Sequence, residues 1–106
     1  MLLLVMEKRR PHYPLDLVQK LATDPSRTRF TKSALDGAAE LDFDTAAMRQ
    51  VLVQLRREDF FKSMTTYADN SIWQDVYRPI VSGVPLYVKL TIFATENVLI
   101  VSFKRR

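Results

Sequence analysis

The side chains in this chain that could perform acid–base or nucleophilic chemistry are of few types. The 106 residues include one histidine, His12, and no cysteine. A disulfide framework, a thiolate zinc site and a cysteine nucleophile are therefore excluded. A catalytic histidine pair and a histidine-rich metal site are excluded as well. We expect proton transfer and charge stabilisation to fall to lysine, tyrosine, arginine and glutamine side chains.

The composition predicts one ordered domain over residues 1–106 with a mildly basic surface. Hydrophobic residues make up 47% of the chain, and the formal net charge is +4. Residues 1–59 carry 10 basic and 9 acidic side chains, whereas residues 60–106 carry 6 and 3. The excess positive charge therefore lies in the second half, and it favours an anionic partner such as a nucleic acid.

The location of the protein is predicted from its apolar segments. None approaches the roughly 20 apolar residues that span a membrane. Residues 1–6 are apolar, but basic residues follow this run instead of preceding it, unlike a secretory signal. We therefore predict a cytoplasmic protein without a membrane partner, whose first residues are floppy or lightly docked.

The first half of the sequence has the periodicity and capping residues of helices. Pro14 suits the first turn of a helix that ends before residues 24–25. Thr31 can cap a second helix, although Gly37 weakens its interior. Either Asp42 or Asp44 can cap a third helix, whose apolar residues recur at helical spacing: Met48, Val51, Leu52 and Leu55.

The second half is rich in β-branched and aromatic residues, which predicts strands. The four predicted strands cover residues 59–67, 71–78, 86–93 and 98–104, with breaks near residues 69–70, 83–85 and 94–97. Helices followed by strands predict an α+β fold in which N-terminal helices pack on a mainly antiparallel C-terminal sheet.

The pairing in each predicted hairpin decides which side chains share a face. In the last hairpin, an even loop aligns residues whose numbers sum to 191, which opposes Tyr87 to Lys104 on the polar face. The apolar face then consists of three pairs: Val88 with Phe103, Leu90 with Val101, and Ile92 with Leu99. In the first hairpin the register stays open. An even loop puts Lys62 with Tyr77, and an odd loop puts it with Gln74 and Arg78.

Several stretches of the sequence resemble the motility quorum-sensing regulator toxins, the MqsR-type mRNA interferases. The most specific are KSMTTY at residues 62–67 and IWQDVYRP at residues 72–79. Residues 98–104, 6–9 and 11–12 are similar to the same family. The resemblance implies that residues 1–5 are an extension before a start at Met6. It also implies a fold like that of the RelE-type ribonuclease toxins.

The resemblance implies a function and partners as well. It indicates a metal-independent endoribonuclease, without a cofactor, that cuts mRNA at short sites containing GC. It also implies an antitoxin with zinc-binding and helix-turn-helix domains. The alternative hypothesis is a non-catalytic module that binds nucleic acid or the antitoxin.

The resemblance assigns site residues individually. The implied catalytic side chains are Lys62, Gln74, Tyr87 and Lys104, and Arg78 corresponds to the family arginine. We add Lys89 and Met64 as RNA- or phosphate-binding candidates because they share a strand face with these residues. The chain departs from the family at Phe61, where tyrosine is frequent, at Asn70, and in the longer loop at residues 94–97.

Metal-free RNA cleavage needs a base for the 2′-hydroxyl, donors that stabilise the phosphorane, and an acid for the leaving 5′-oxygen. The ordinary pKa values of lysine and tyrosine, about 10.4 and 10, are high for this task, but neighbouring cations lower the pKa of a lysine. We interpret Lys62 as the acid or base, assisted by Tyr87. Lys104 and Arg78 would stabilise the phosphorane, and Gln74 would orient the phosphate.

Overall fold

A computed structural model describes residues 5–94 and 96–106 of the chain. It contains helices α1 (Leu15–Ala22), α2 (Lys32–Glu40) and α3 (Thr45–Val53). The strands are β1 (Glu7–Lys8), β2 (Thr28–Phe30), β3 (Phe60–Thr65), β4 (Trp73–Tyr77), β5 (Ile80–Val81), β6 (Val84–Phe93) and β7 (Asn97–Arg105). None of the helices in the described ranges is long and apolar enough to cross a membrane.

The N-termini of α2 and α3 follow from local capping, as the sequence predicts, whereas Pro14 lies just before α1 and not in its first turn. Pro14 precedes α1, whose N-terminus it leaves without a side-chain cap. The Thr31 hydroxyl accepts a hydrogen bond from the Ala34 amide at 3.0 Å and caps α2. Asp44 caps α3 through the Ala47 amide, so the open choice between Asp42 and Asp44 is resolved.

The strands form one mixed, mostly antiparallel sheet in the order β1-β3-β4-β6-β7-β2, and β5 pairs with β6 beside this path. Only β2 and β7 are parallel among the described strand pairs. The core lies between the helices and one face of this sheet, which confirms the predicted α+β arrangement. The sheet contributes these buried residues: Tyr77, Leu86, Val88, Leu90, Val98, Ile100 and Phe103.

Gly37 is explained by the packing of α2 on β7. A Cβ atom at this position would collide with the backbone carbonyl oxygen of Phe103. Glycine therefore lets the backbone of α2 approach β7 closely. This close packing offsets the low helix propensity of glycine, which in the sequence indicates a weakness of α2.

The predicted register of the last hairpin is right at its open end and wrong near its loop. Tyr87 pairs with Lys104 and Val88 with Phe103, as predicted, but Leu90 pairs with Ile100 and Ile92 with Val98. A bulge between the two regions leaves Val101 as the extra residue. The loop beyond Phe93 contains Thr95, which lies outside the described residues.

A long-range contact accompanies this bulge. The Thr31 hydroxyl donates a hydrogen bond to the Val101 carbonyl at 2.7 Å. The Thr31 amide donates another to the Ile100 carbonyl at 3.1 Å. The residue that caps α2 therefore also satisfies two carbonyl groups of the irregular strand.

The sequence does not predict three of the short strands, which are β1, β2 and β5. β1 pairs with β3 through Glu7–Met64 and Lys8–Ser63, directly after the first residues that the sequence predicts to be floppy or lightly docked. Residues 1–4 of the predicted extension lie outside the described residues, and Val5 is partly buried.

The segment after β1 is anchored by a buried carboxylate. Asp75 in β4 is fully buried. Its two oxygens accept hydrogen bonds from the His12 and Tyr13 amides, both at 3.0 Å. These two hydrogen bonds therefore hold residues 12–13 in a defined position against β4.

Candidate active site

The register of the first hairpin, which the sequence leaves open, is the one that an odd loop produces. Lys62 pairs with Val76, and Met64 pairs with Gln74. Directly opposed residues, and residues two apart in one strand, lie on the same face of a sheet. Lys62, Met64 and Gln74 therefore share a face, as the hypothesis of a single site requires.

The pairing of the next strands extends this face. Val76 pairs with Lys89, which pairs in turn with Ser102, and Tyr87 pairs with Lys104. Val76 is fully buried although it lies outside the core cluster, as expected if the aliphatic stems of its lysine neighbours cover it. We call this surface the lysine face, and it consists of Lys62, Met64, Gln74, Tyr87, Lys89 and Lys104.

Lys62 on this face is held by a carboxylate that sequence reasoning missed. Its ammonium donates a hydrogen bond to Glu7 Oε1 at 2.6 Å. This hydrogen bond and the charge of Lys62 lower the pKa of Glu7 below its ordinary value. Glu7 is 55 residues away along the chain. Only the pairing of β1 with β3 brings it to the lysine face, so no local sequence signal could identify it.

Lys89 is a partly buried lysine of the lysine face. Partial burial lowers its pKa from the ordinary value, and the charges of Lys104 and Lys62 lower it further. The cation crowding expected from the sequence therefore acts on Lys89, which lies between the other two lysines. A lysine of this kind can give up its proton more readily than an isolated one.

Two of these ammonium groups lie near the ring of Tyr87. The Lys104 nitrogen is 5.2 Å from the centroid of its ring, and the Lys89 nitrogen is 6.0 Å from it. Both are cation–π distances. The Tyr87 hydroxyl makes no hydrogen bond to any residue in the described ranges, so it is free to contact a substrate.

The Arg78 guanidinium lies against an aromatic ring, beside the lysine face. It follows β4 directly, and its guanidinium carbon lies 4.3 Å from the centroid of Phe61. The Lys62 nitrogen is 5.4 Å and the Arg9 guanidinium carbon 5.7 Å from the same ring. Phe61 lies where the pairing of β3 with β4 shifts. The ring is therefore a shared neighbour of Arg9 and of two cations at the lysine face.

The charge of the lysine face is mostly uncompensated. Glu7 pairs with Lys62, whereas Lys89, Lys104 and Arg78 have no carboxylate partner in the described part of the chain. Three cations without such a carboxylate partner, Lys89 and Lys104 on the lysine face and Arg78 beside it, can hold phosphate groups. Residues 5–94 and 96–106 bring together no group of three carboxylate or histidine side chains that could hold a metal.

His12 is not part of the lysine face. Its ring stacks on Trp73 with centroids 5.4 Å apart, and its Nδ1 lies 2.8 Å from the Lys8 nitrogen. Burial lowers its pKa, and the charge of Lys8 acts in the same direction. The sole histidine therefore stays neutral near pH 7 and serves the packing of the N-terminal segment.

Comparison with known proteins gives two matches. A family described as "Motility quorum-sensing regulator, toxin of MqsA" matches residues 10–105. The chain is also 48% identical over 101 residues to the mRNA interferase toxin MqsR of Escherichia coli (strain K12). This alignment covers 95% of the chain and 100% of the relative. The four side chains of the proposed catalytic set lie within the range that the family matches.

Proposed function

The chain belongs to the motility quorum-sensing regulator toxin family and is an mRNA interferase, and we propose that it cuts RNA on the lysine face without a metal ion. One observation carries this proposal: Lys62, Gln74, Tyr87, Lys89 and Lys104 converge on one face of the sheet. This face holds uncompensated cations beside a free tyrosine hydroxyl. A fold related to the RelE-type toxins is part of the proposal.

The proposed reaction is attack of the 2′-oxygen on the adjacent phosphorus. A base takes the 2′-hydroxyl proton, the phosphorus–O5′ bond breaks, and an acid protonates the leaving 5′-oxygen. The products are a 2′,3′-cyclic phosphate and a 5′-hydroxyl. Lys104 and Arg78 contact the phosphate oxygens and stabilise the phosphorane. Gln74 orients the phosphate, and Met64 contacts a nucleobase of the RNA.

The electrostatics of the face support separate roles for its lysines. The Lys62 ammonium, which is held in place by its hydrogen bond to Glu7, can donate a proton to the 5′-oxygen. Lys89 loses its proton more readily and can act with Tyr87 on the 2′-hydroxyl. We therefore propose Lys62 as the acid, and we propose for Lys89 a role in proton transfer besides phosphate binding.

The partners in this proposal are mRNA and an antitoxin. Toxin–antitoxin function follows from the family, and the antitoxin would carry zinc-binding and helix-turn-helix domains. The protein would act in the cytoplasm on mRNA sites containing GC. Residues 1–106 would form a single toxin domain in which residues 1–5 precede the family start at Met6.

The test is cleavage of an mRNA in excess EDTA by the wild type, Lys62→Ala and Tyr87→Phe. We expect the wild type to leave 5′-hydroxyl ends, which polynucleotide kinase labels without prior phosphatase treatment. Each variant should lose about 10²- to 10⁴-fold in rate, as for removal of a proton-transfer group. Arg29→Ala, an exposed arginine at the other edge of the sheet, is the matched control.

Three results would contradict the proposal. Loss of wild-type cleavage on addition of EDTA would exclude the metal-free mechanism. Cleavage by Lys62→Ala and Tyr87→Phe at the wild-type rate would exclude the lysine face as the site. RNA binding by the wild type without any cleavage would favour the non-catalytic module.

A further inference from the structure

A concave surface lies on the opposite side of the sheet from the lysine face. It is a cavity of about 800 Å³ between the segment after β1, the start of α1 and the turn before β3. Tyr77 lines it, and Tyr77 pairs with Val88 on the core face of the sheet. Its lining is mainly aromatic and basic, and includes Arg9, Arg10, Tyr13, Arg57, Phe60 and Tyr77.

The cavity carries a net positive charge, and most of its charged side chains form no ion pair with the residues that the structure describes. Arg9, Arg10 and Arg57 line it, and none forms an ion pair within the described part of the chain. Asp16 is the one carboxylate among the lining residues, and it accepts a hydrogen bond from the Leu17 amide. Three guanidinium groups against one carboxylate favour an anionic ligand.

Tyr77, one of the lining residues, carries a polar atom without a partner in the described ranges. The Tyr77 side chain is fully buried, and its hydroxyl has no hydrogen-bond partner among the described residues. Burial raises its pKa, and the neighbouring Asp75 carboxylate raises it further, so the hydroxyl stays a neutral donor. A buried donor without a partner is unfavourable, and an acceptor atom on a ligand would offset this cost.

The cavity is connected to the lysine face by Phe61. Arg9 lines the cavity and also lies over the Phe61 ring, whose other neighbours are Lys62 and Arg78. A polyanion held at Lys62 and Arg78 can therefore continue over Phe61 to Arg9 and remain close to positively charged side chains along this path. Aromatic rings interleaved with arginines are the usual means of binding single-stranded nucleic acid.

We propose that this cavity binds a nucleotide of the RNA that flanks the segment held on the lysine face. Arg9, Arg10 and Arg57 contact its phosphate groups, and the rings of Tyr13 and Phe60 pack on its base. The Tyr77 hydroxyl donates a hydrogen bond to the same nucleotide. This inference rests on the proposed function, because it extends the substrate path of that site.

The test measures binding of fluorescent 2′-O-methyl oligoribonucleotides, which resist cleavage because the attacking hydroxyl is blocked. A GC-containing tetranucleotide should occupy the lysine face alone, and a dodecanucleotide should also reach the cavity. The variant Arg10→Ala/Arg57→Ala removes two cavity arginines. The control Arg27→Ala/Arg29→Ala removes two exposed arginines at the other edge of the sheet.

We expect the cavity variant to bind the dodecanucleotide at least about tenfold more weakly, with tetranucleotide binding unchanged. The negative slope of log K against log salt should become less steep, by about 0.7 for each phosphate group that the variant no longer binds. The control should keep the wild-type slope. Equal dodecanucleotide affinity and salt slope in the cavity variant and the control would overturn the inference.

Tyr77→Phe gives a second, independent measurement. It removes only the hydroxyl, so the thermal midpoint of the free protein should not fall, while dodecanucleotide affinity should fall several-fold. A lower midpoint with unchanged affinity would mean that the hydroxyl serves the fold and would contradict its proposed contact. If the cavity variant instead binds the antitoxin more weakly and keeps its RNA affinity, the cavity belongs to a protein partner and the inference is wrong.

The two proposals fail separately. If the wild type cleaves RNA and the cavity variant binds normally, the cavity inference fails and the proposed function stands. If the wild type cleaves no RNA, the proposed function fails whatever the cavity binds.

Discussion

The Glu7 carboxylate accepts a hydrogen bond from the Lys62 ammonium at 2.6 Å, across two neighbouring strands of the sheet. The pair places a negative charge on a surface that otherwise carries uncompensated lysines. An RNA phosphate that contacts Lys62 must compete with this carboxylate. Glu7 therefore limits how strongly Lys62 holds phosphate, and at the same time fixes the position of the ammonium.

We predict that Glu7→Gln binds cleavage-resistant RNA a few-fold more tightly than the wild type, because the competing negative charge is removed. Fluorescence anisotropy at low salt measures this effect. Glu96→Gln, which breaks the exposed pair of Glu96 with Arg27, is the matched control and should leave RNA affinity unchanged. Weaker binding by Glu7→Gln would mean that the carboxylate only positions Lys62.

The ionisation of Glu7 also has a pH consequence. Its folded pKa is lowered, mainly by the Lys62 hydrogen bond. The stabilisation from the pair is therefore fully present above the ordinary pKa of 4.5 and is lost as pH falls through the lowered folded value. We predict that the difference in thermal midpoint between wild type and Glu7→Gln is constant from pH 7 to about 5 and shrinks only in stronger acid. A difference that already shrinks above pH 5 would contradict this.

Lys89 should determine how the cleavage rate depends on pH. Burial, and then the charges of Lys104 and Lys62, lower its pKa, so its neutral form becomes populated below the ordinary lysine range. We predict that the wild-type rate rises with pH through this titration. Lys89→Arg keeps the charge but cannot act as the base, so it should lose this rise and about 10²- to 10⁴-fold in rate. Single-turnover cleavage at saturating RNA measures both, and an unchanged pH profile would remove Lys89 from proton transfer.

Lys104→Gln tests the coupling between two lysines of the face. Removing the Lys104 charge removes one of the causes that lower the pKa of Lys89, so that pKa should rise. The midpoint of the pH–rate profile should move to higher pH, in addition to any loss of rate. Arg105→Gln, which removes a charge one residue further along β7, is the control, and the same midpoint shift there would indicate a general charge effect.

Gly37→Ala should destabilise the fold. The added Cβ meets the Phe103 carbonyl, so α2 must move away from β7, which costs about 1–3 kcal/mol as overpacking. Denaturant unfolding measures the change, with Ser33→Ala at an exposed position of the same helix as control. Because glycine is otherwise unfavourable within a helix, a more stable Gly37→Ala variant would show that the close approach is not required.

The sequence predicts those features that depend on neighbouring residues. Thr31 and Asp44 are recognisable as caps because the side chain and the amide it binds are three residues apart. The opposition of Tyr87 and Lys104 follows from alternation along two strands joined by a short loop. The identities of the catalytic candidates come from the family resemblance: Lys62 and Gln74 from two specific stretches, Tyr87 from its place after the glycine-containing loop, and Lys104 from the C-terminal stretch. The odd register of β3 and β4 in the structure then places Lys62 and Gln74 on one face.

The tertiary structure alone decided the contacts between residues far apart in the chain. A strand of two residues, such as β1, has no periodicity to detect, yet its pairing with β3 brings Glu7 to Lys62. The Val101 bulge coincides with a hydrogen bond from Thr31, 70 residues away. In the same way, the hydrogen bonds to Asp75 fix residues 12–13, which form one wall of the cavity beside α1. Such long-range contacts depend on the packing of whole elements, so only the tertiary structure decided them. Helix caps and strand alternation depend on local geometry, and the sequence by itself therefore determined them.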